Sequence, residues 1–398
     1  MAMFAKKAAI FLFLVFLSAP GLLFLAGLDT FDARKFAERE VRLPHPMPEI
    51  APNAASLREF PDQFELFFND RVGLRTQYTA LWRTLLYRIF NASLHRDSVV
   101  AGKNGWLFLG DRFADVFSRH AGQTRHNPAL PERLANYHKR IQEEFALRDA
   151  HFLILVAPDK HSVYPEYLPD YVKNPIPTPT YSEFLSKAAE KNLAAPDLRD
   201  CLADAKKTYG DLLYPRTNTH WTSLGAYLAY VAAMDYINTH CFPVATLPIA
   251  EHRLEETDTG FDLSRLLGVR TGDFTIDLAW SAPPATVTML DQADNTTSFH
   301  NAKELRVADN AAVAVSNPAA LNNAKVLVIR DSFFNAMAGF FVQSFRECTI
   351  YPRYSYTRKS IDFTSLKFDL VIYEVIERDL PFIEENLAAL SGALADLP

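Results

Sequence analysis

At about 150 residues per domain, a chain of 398 residues has room for two or three domains, and 49 % aliphatic, aromatic and cysteine residues exclude wholesale disorder. The balance of 41 basic and 47 acidic side chains, a net charge of −6, argues against a general nucleic-acid binder, which needs a basic face to displace counterions. Three cysteines (Cys201, Cys241 and Cys348), none in a CxxC pair, exclude a zinc ribbon or a disulfide scaffold, and the 14 glycines form neither GxGxxG nor GxxxxGK[ST].

Lys6 and Lys7 precede Ala8–Leu28, a stretch of 21 residues without a charge. As a helix it would cross a hydrocarbon core of roughly 30 Å. An uncleaved membrane anchor is the first reading, and the lysines then keep the N-terminus in the cytoplasm. A cleaved signal peptide is the second, since Ser18-Ala19-Pro20-Gly21 offers small residues, although the run exceeds the usual apolar segment of about 7–15 residues. A buried helix is the third. Both main readings give an exported protein, with residues 1–28 as anchor or signal, 29–57 as a polar, proline-rich linker and 58–398 as the main domain.

Pro61 with Phe64, Phe67 and Phe68, then Val72 with Leu74, Leu81, Leu85 and Ile89, predict two amphipathic helices. Lys103-Asn104-Gly105 between Ser98–Ala101 and Trp106–Leu109 predicts a hairpin. After Pro131 helices alternate with short apolar strands. Helices are expected over Pro131–Arg148, Tyr181–Lys191 and Thr222–His240, and after Ile329 as far as Phe345. Strands are expected over His151–Ala157, Ala195–Leu198, Lys325–Ile329, near Thr349 and over Phe368–Val375. This rhythm predicts an α/β fold, a mainly parallel sheet flanked by helices. Residues 242–320 lack it and are expected to be an insertion of short strands and loops.

Two segments carry chemistry. In Lys325–Phe334 a buried strand ends at Arg330-Asp331-Ser332, and a helix follows. That context lifts a nucleophile above the carboxyl edge of a sheet, beside free helix N–H groups; the plainer reading is that Asp331 or Ser332 caps the helix. In Thr217-Asn218-Thr219-His220-Trp221-Thr222 a histidine follows a carboxamide by two residues. Asn218 can then hold His220 by a ring nitrogen, and a serine needs such a base because its hydroxyl is inert at its own pKa. A structural histidine is the alternative.

Thr217-Asn218-Thr219-His220-Trp221-Thr222 with Gly225-Ala226 resembles the D-x-H-W signature of the alginate O-acetyltransferase family, the AlgX/AlgJ-like proteins, and Arg330-Asp331-Ser332-Phe333 resembles its serine block. Gly102–Phe108, Pro158-Asp159-Lys160 with Tyr164-Pro165-Glu166, and Glu374–Arg378 extend the likeness over about residues 60–382. The histidine precedes the serine, the reverse of ordinary SGNH esterases. The resemblance implies an SGNH-like domain in the periplasm that moves acetyl groups onto an exopolysaccharide or cell-wall polysaccharide, supplied by a membrane-bound acyltransferase partner. It makes Ser332 the nucleophile and His220 the base, and it aligns Asn218 with the acidic member of the triad.

Asparagine orients an imidazole but cannot offset its positive charge. A weakened triad, another carboxylate (Asp197, Asp200, Asp211 or Asp331) and a binding protein without turnover all remain open. An esterase, with water as acceptor, is a further alternative. Glu374, Glu377 and Arg378 are expected to form an exposed ion pair rather than a substrate clamp. Tyr351, Tyr354 and Tyr356, with Arg353 and Lys359, are candidates for stacking on sugar rings. The remaining histidines lack metal-ligand spacing, so no metal or cofactor is expected.

Overall fold

The computed structural model describes residues 2–26, 31–40, 42–71, 75–173, 175–176, 178–283, 286–291, 295–355 and 367–395. The chain divides into two compact units, residues 1–94 with 264–270, and residues 95–263 with 271–398.

Among the described residues, the 1–94 part of the first unit holds α1 (Ala2–Leu25), α2 (Ala33–Glu40), α3 (Ala54–Arg71) and α4 (Arg75–Phe90). Pro61 lies inside α3 rather than opening it, and Val72 and Leu74 lie outside the described residues. Buried Asp70 on α3 accepts from Arg42 at 2.6 and 2.9 Å and from the His45 N–H at 2.8 Å, tying the polar segment after α2 to α3. Helix α1 covers much of the apolar N-terminal run, and its Ile10, Phe11, Phe13, Leu14 and Phe16 are exposed. The side chains of Ala8, Ala9, Leu12, Leu17, Phe24 and Leu25, and residues 27–30, lie outside the description. Among the described residues no helix is long and apolar enough to cross a membrane.

The second unit opens with the expected hairpin, β1 (Val99–Ala101) paired antiparallel with β2 (Leu107–Leu109). Asn104 and Gly105 at its tip both have positive φ, 52° and 78°, which these two residue types tolerate. Then follow α5 (Val116–His120), α6 (Leu130–Ala146), β3 (His151–Ala157), α7 (Lys160–Val163), α8 (Pro179–Glu190), α9 (Leu198–Tyr209) and α10 (Ser223–His240). The expected strand at Ala195–Leu198 is absent. Ile154 donates to the Ala194 carbonyl, but Pro196 has no N–H to extend a ladder, and Leu198 opens α9.

Residues 242–320 carry β4 (Ile249–Thr257), α11 (Asp262–Leu267), β5 (Asp273–Trp280), β6 (Val287–Asp291), β7 (Thr296–Phe299) and β8 (Val313–Ser316). The chain closes with β9 (Asn322–Arg330), α12 (Asn335–Ser344), β10 (Phe345–Pro352), β11 (Leu370–Ile376) and α13 (Glu384–Ala395). The main sheet has the order β3-β11-β9-β10-β8-β6-β7. Its first four strands are parallel, whereas β10-β8, β8-β6 and β6-β7 are antiparallel. The expectation of a mainly parallel sheet is thus corrected to a mixed one: three strands from the region read as an insertion extend it, and β4 and β5 pair separately.

The parallel half is buried on both faces. On β3, Phe152, Ile154 and Val156 enter the core under α6, α8 and α13, and Leu153, Leu155 and Ala157 enter the core under α9, α10 and α12. On β9, Leu327 and Ile329 alternate in the same way with Val326 and Val328. Ile376 pairs with Ala157 and Tyr373 with Ile329, so residues following β3, β9 and β11 gather at one carboxyl edge. The serine turn is one of them.

Candidate active site

The serine side is built from regular structure. β9 ends at Arg330, whose buried guanidinium donates to the Ala308 and Asp309 carbonyls at 2.6 and 3.0 Å. Asp331 leaves the strand in extended conformation and turns the chain. Its Oδ1 accepts from the Phe333 N–H at 2.9 Å, and its Oδ2 accepts from the Ile376 N–H at the end of β11 at 2.7 Å. Asp331 is therefore the cap, with both carboxylate oxygens committed to backbone. Buried Phe333 and Phe334 anchor the following turn, and Ser332 is left facing outward between them and the strand.

The histidine side is a loop, so its backbone groups need partners other than a ladder. Buried side chains provide them. The Lys160 amine donates to the carbonyls of Pro215, Arg216 and Asn218 at 3.3, 3.0 and 2.7 Å. Asp273 accepts from the Arg216 and Thr217 N–H groups at 3.1 and 2.6 Å, and Asp262 from the Thr219 N–H at 3.0 Å. Burial pushes Lys160 down to about 7, against the pull of Asp262 and Asp273. Thr222 then caps α10 by accepting from the Gly225 N–H at 3.1 Å. A Cβ on Gly225 would stand 2.4 Å from the Leu213 carbonyl oxygen, which explains a glycine here.

These two sides bring Ser332 and His220, 112 residues apart, into contact: Nε2 lies 2.8 Å from the serine Oγ. The His220 ring packs on Phe333 with centroids 4.6 Å apart, and Trp221 Nε1 donates to the Phe333 carbonyl at 3.1 Å, locking the loop to the serine turn. Asn218 Oδ1 accepts from the His220 backbone N–H at 3.0 Å and lies 3.3 Å from Nδ1. Thr219 Oγ1 is nearer to Nδ1, at 3.1 Å, and its hydroxyl donates to Asp262 Oδ2. Burial lowers the His220 pKa below its ordinary value, so the ring is neutral near pH 7 and available as a base.

Three of the four carboxylates considered from sequence are engaged elsewhere. Asp197 caps α9 and pairs with Arg199 at 3.1 Å, Asp211 accepts from Tyr167 at 2.8 Å and Asp331 holds the serine turn, whereas Asp200 is exposed in the first turn of α9. Asp262, Thr219, Lys160 and Asp273 were not singled out for these roles by sequence. Asp262 and Asp273 fall in the region that lacked a pattern, and nothing in local spacing marks a carboxylate some forty residues downstream as a neighbour of His220.

Glu374 and Glu377 are not exposed: each is 1 % accessible. Glu374 accepts from the Asp331 N–H at 3.0 Å, and burial together with the nearby Asp331 charge raises its carboxyl well above the usual range. Glu377 accepts from Ser162, Thr178 and the Asp159 N–H, and Arg378 pairs with Asp159 at 2.6 Å. The expected surface ion pair is instead a buried brace joining the ends of β3 and β11. His120, Asp159 and Glu377 stand close enough to share a cation, but the Arg378 guanidinium already supplies positive charge there and Glu377 has spent both oxygens on protein donors. Tyr354 is exposed, and Arg353 pairs with buried Asp331 and with Asp379; Tyr356 and Lys359 lie outside the described residues.

Comparison with known proteins bears on this geometry. Residues 99–306, more than half of the chain, match a family model described as "SGNH hydrolase-like domain, acetyltransferase AlgX". The match includes Asn218, Thr219, His220 and Asp262 and stops before Ser332. The chain is 31 % identical over 163 residues to a probable alginate O-acetylase AlgJ of Pseudomonas aeruginosa, covering 41 % of this chain and 38 % of that protein. It is 29 % identical over 185 residues to the corresponding Azotobacter vinelandii protein, covering 46 % and 44 %. The chain thus spans less than half the length of these relatives. The structure of Bacillus cereus PatB1 with a sulfonyl adduct is similar in fold, with a TM-score of 0.53 at 16 % identity, over 71 % of this chain and 97 % of that one. The chain belongs to the SGNH hydrolase-like family of the acetyltransferase AlgX.

Proposed function

We propose that this protein is a polysaccharide O-acetyltransferase working through an acetyl-serine intermediate. The observation that carries the reading is the 2.8 Å contact between His220 Nε2 and Ser332 Oγ at the carboxyl edge of the parallel strands. Membership of the family supports acyl transfer as the reaction class. Neutral His220 takes the Ser332 proton as Oγ attacks the acetyl carbonyl, and the imidazolium returns that proton to the departing donor oxygen. His220 then deprotonates an acceptor hydroxyl, which attacks the acetyl-serine and regenerates Ser332.

The acceptor in this reading is an exopolysaccharide or cell-wall polysaccharide, and a membrane-bound O-acyltransferase supplies the acetyl group. The site lies in the periplasm, held to the inner membrane by residues 8–28; support for the anchor is the uncharged run itself.

Ser332→Ala and His220→Ala should each abolish acetate release from a chromogenic acetyl ester with an unchanged circular dichroism spectrum. An unaltered rate in either variant refutes the pair. Addition of an oligosaccharide acceptor separates transfer from hydrolysis: acetylated sugar supports the proposal, and acetate alone at every acceptor concentration makes the protein an esterase.

A further inference from the structure

We propose that Asp262, acting through the Thr219 hydroxyl, is the carboxylate of the His220–Ser332 pair, so that Asn218 is not the residue that supplies negative charge to the histidine. This inference rests on the acyl-transfer reading of Ser332 and His220. Donor and acceptor arithmetic along the chain of contacts leads to it. An ionised carboxylate only accepts, so the Thr219 O–H points at Asp262 Oδ2. The hydroxyl oxygen then has only lone pairs to offer Nδ1, 3.1 Å away, and Nδ1 must carry a proton. Nε2 is left bare, facing Ser332 Oγ at 2.8 Å, as a general base requires.

Asn218 agrees with this tautomer without creating it. Its Oδ1 accepts from the His220 backbone N–H, an Asx-turn, and lies farther from Nδ1 than the threonine hydroxyl does. Asp262 is fixed by two further contacts, accepting from the Thr219 and Leu263 N–H groups at 3.0 and 2.8 Å, and its charge acts on the buried Lys160 amine. The charged groups facing His220 are Asp262, Asp331 and Asp309, which favour the imidazolium, and Arg378, which opposes it. Asp331 is bound to backbone at both oxygens and Asp309 accepts from the Asn335 side-chain amide, which leaves Asp262 as the carboxylate linked to the ring through a hydroxyl. No proton transfers to Asp262; its charge stabilises the imidazolium formed as Ser332 attacks.

Asp262 is a positioning residue, and a purely structural role has a distinct signature. Asp262→Asn retains an oxygen for the Thr219 and Leu263 N–H groups but removes the charge, and its NH2 can turn the threonine hydroxyl toward Nδ1. In the full-length protein kcat should fall about 100-fold with little change in KM. The acid limb of the pH–rate profile should move to lower pH by about 1, because loss of a nearby negative charge destabilises the imidazolium. Thr219→Val should match that loss, Thr219→Ser should stay within about 3-fold of the wild type, and the Thr219→Val/Asp262→Asn double variant should be no worse than either single one. NMR titration of the His220 imidazole, assigned with His220→Gln, reads the same shift without turnover. An unshifted His220 titration in Asp262→Asn, or Thr219→Val at the wild-type rate, overturns the proposal. Ser332→Ala measured in parallel tests acyl transfer separately: equal rates in it and the wild type would defeat that reading while the titration still decides the relay.

Discussion

The two sides of the site are held by different forces. Ser332 follows β9, a strand buried on both faces that hydrophobic packing holds in the sheet beside β11, and buried Asp331 and Glu374 set only the turn that carries it. His220 stands in a loop without a ladder, and the buried charged side chains of Lys160, Asp262 and Asp273 fix it through its backbone. Apolar packing is non-directional and distributed over many contacts, so it tolerates local change and fails globally. Charged groups bonded to a few carbonyls and amides act locally and at close geometric tolerance. The serine position is thus coupled to the stability of the whole sheet, and the histidine position to three side chains.

Three substitutions sharpen this contrast. The largest effect is expected on the serine side. Leu327→Ala, in the fully buried middle of β9, should cost about 2–5 kcal/mol of stability by denaturant unfolding, yet leave the rate per folded molecule near that of the wild type. A rate loss without a stability loss would show that β9 tunes the site directly. On the histidine side, Lys160→Met removes the amine from three carbonyls, of which Arg216 keeps the Leu107 N–H and Pro215 and Asn218 lose the donor described for them. The expected loss is about 100-fold in kcat, or about 2.7 kcal/mol, from displacement of the His220 loop, with the sheet still folded by circular dichroism. Equal losses in stability and rate would erase the contrast. The smallest effect is expected at Asn218, whose Oδ1 already lies near Nδ1. Asn218→Asp should raise the rate about 10-fold, or about 1.4 kcal/mol, by placing a carboxylate against the ring. A lower rate with an intact fold would mean that a second carboxylate beside Asp262 disturbs the loop.

The parallel strands were legible because burial on both faces demands unbroken apolar runs, and HFLILVA at 151–157 and KVLVI at 325–329 are such runs. The antiparallel strands β6, β7 and β8 were not, beyond the expectation of short strands in that region. Thr296–Phe299 is mostly exposed and β8 alternates buried with exposed positions, so neither shows a continuous apolar signal. The mixed character of the sheet went unread for that reason. Pro196 likewise shows why a short apolar segment is a poor strand signal: the missing N–H ends the ladder after one bond. At the site, the strand-to-helix turn announced Ser332 and the motif around Trp221 announced His220, because both signals are local in the chain.

Sequence alone pointed to the candidate side chains, a hydroxyl at a strand end and an imidazole before a capped helix, since residue type and local periodicity set both. The tertiary structure decided what surrounds them. Glu374, Glu377 and Arg378 became a buried brace because β3 and β11 end side by side, and no charge pattern in one segment encodes that neighbour. Asp262 reached Thr219 because the fold returns a segment 43 residues downstream to the histidine loop. Contacts of that separation are fixed by the packing of the whole core, which is why Asp262 is visible as a neighbour of the histidine loop only once the chain has folded.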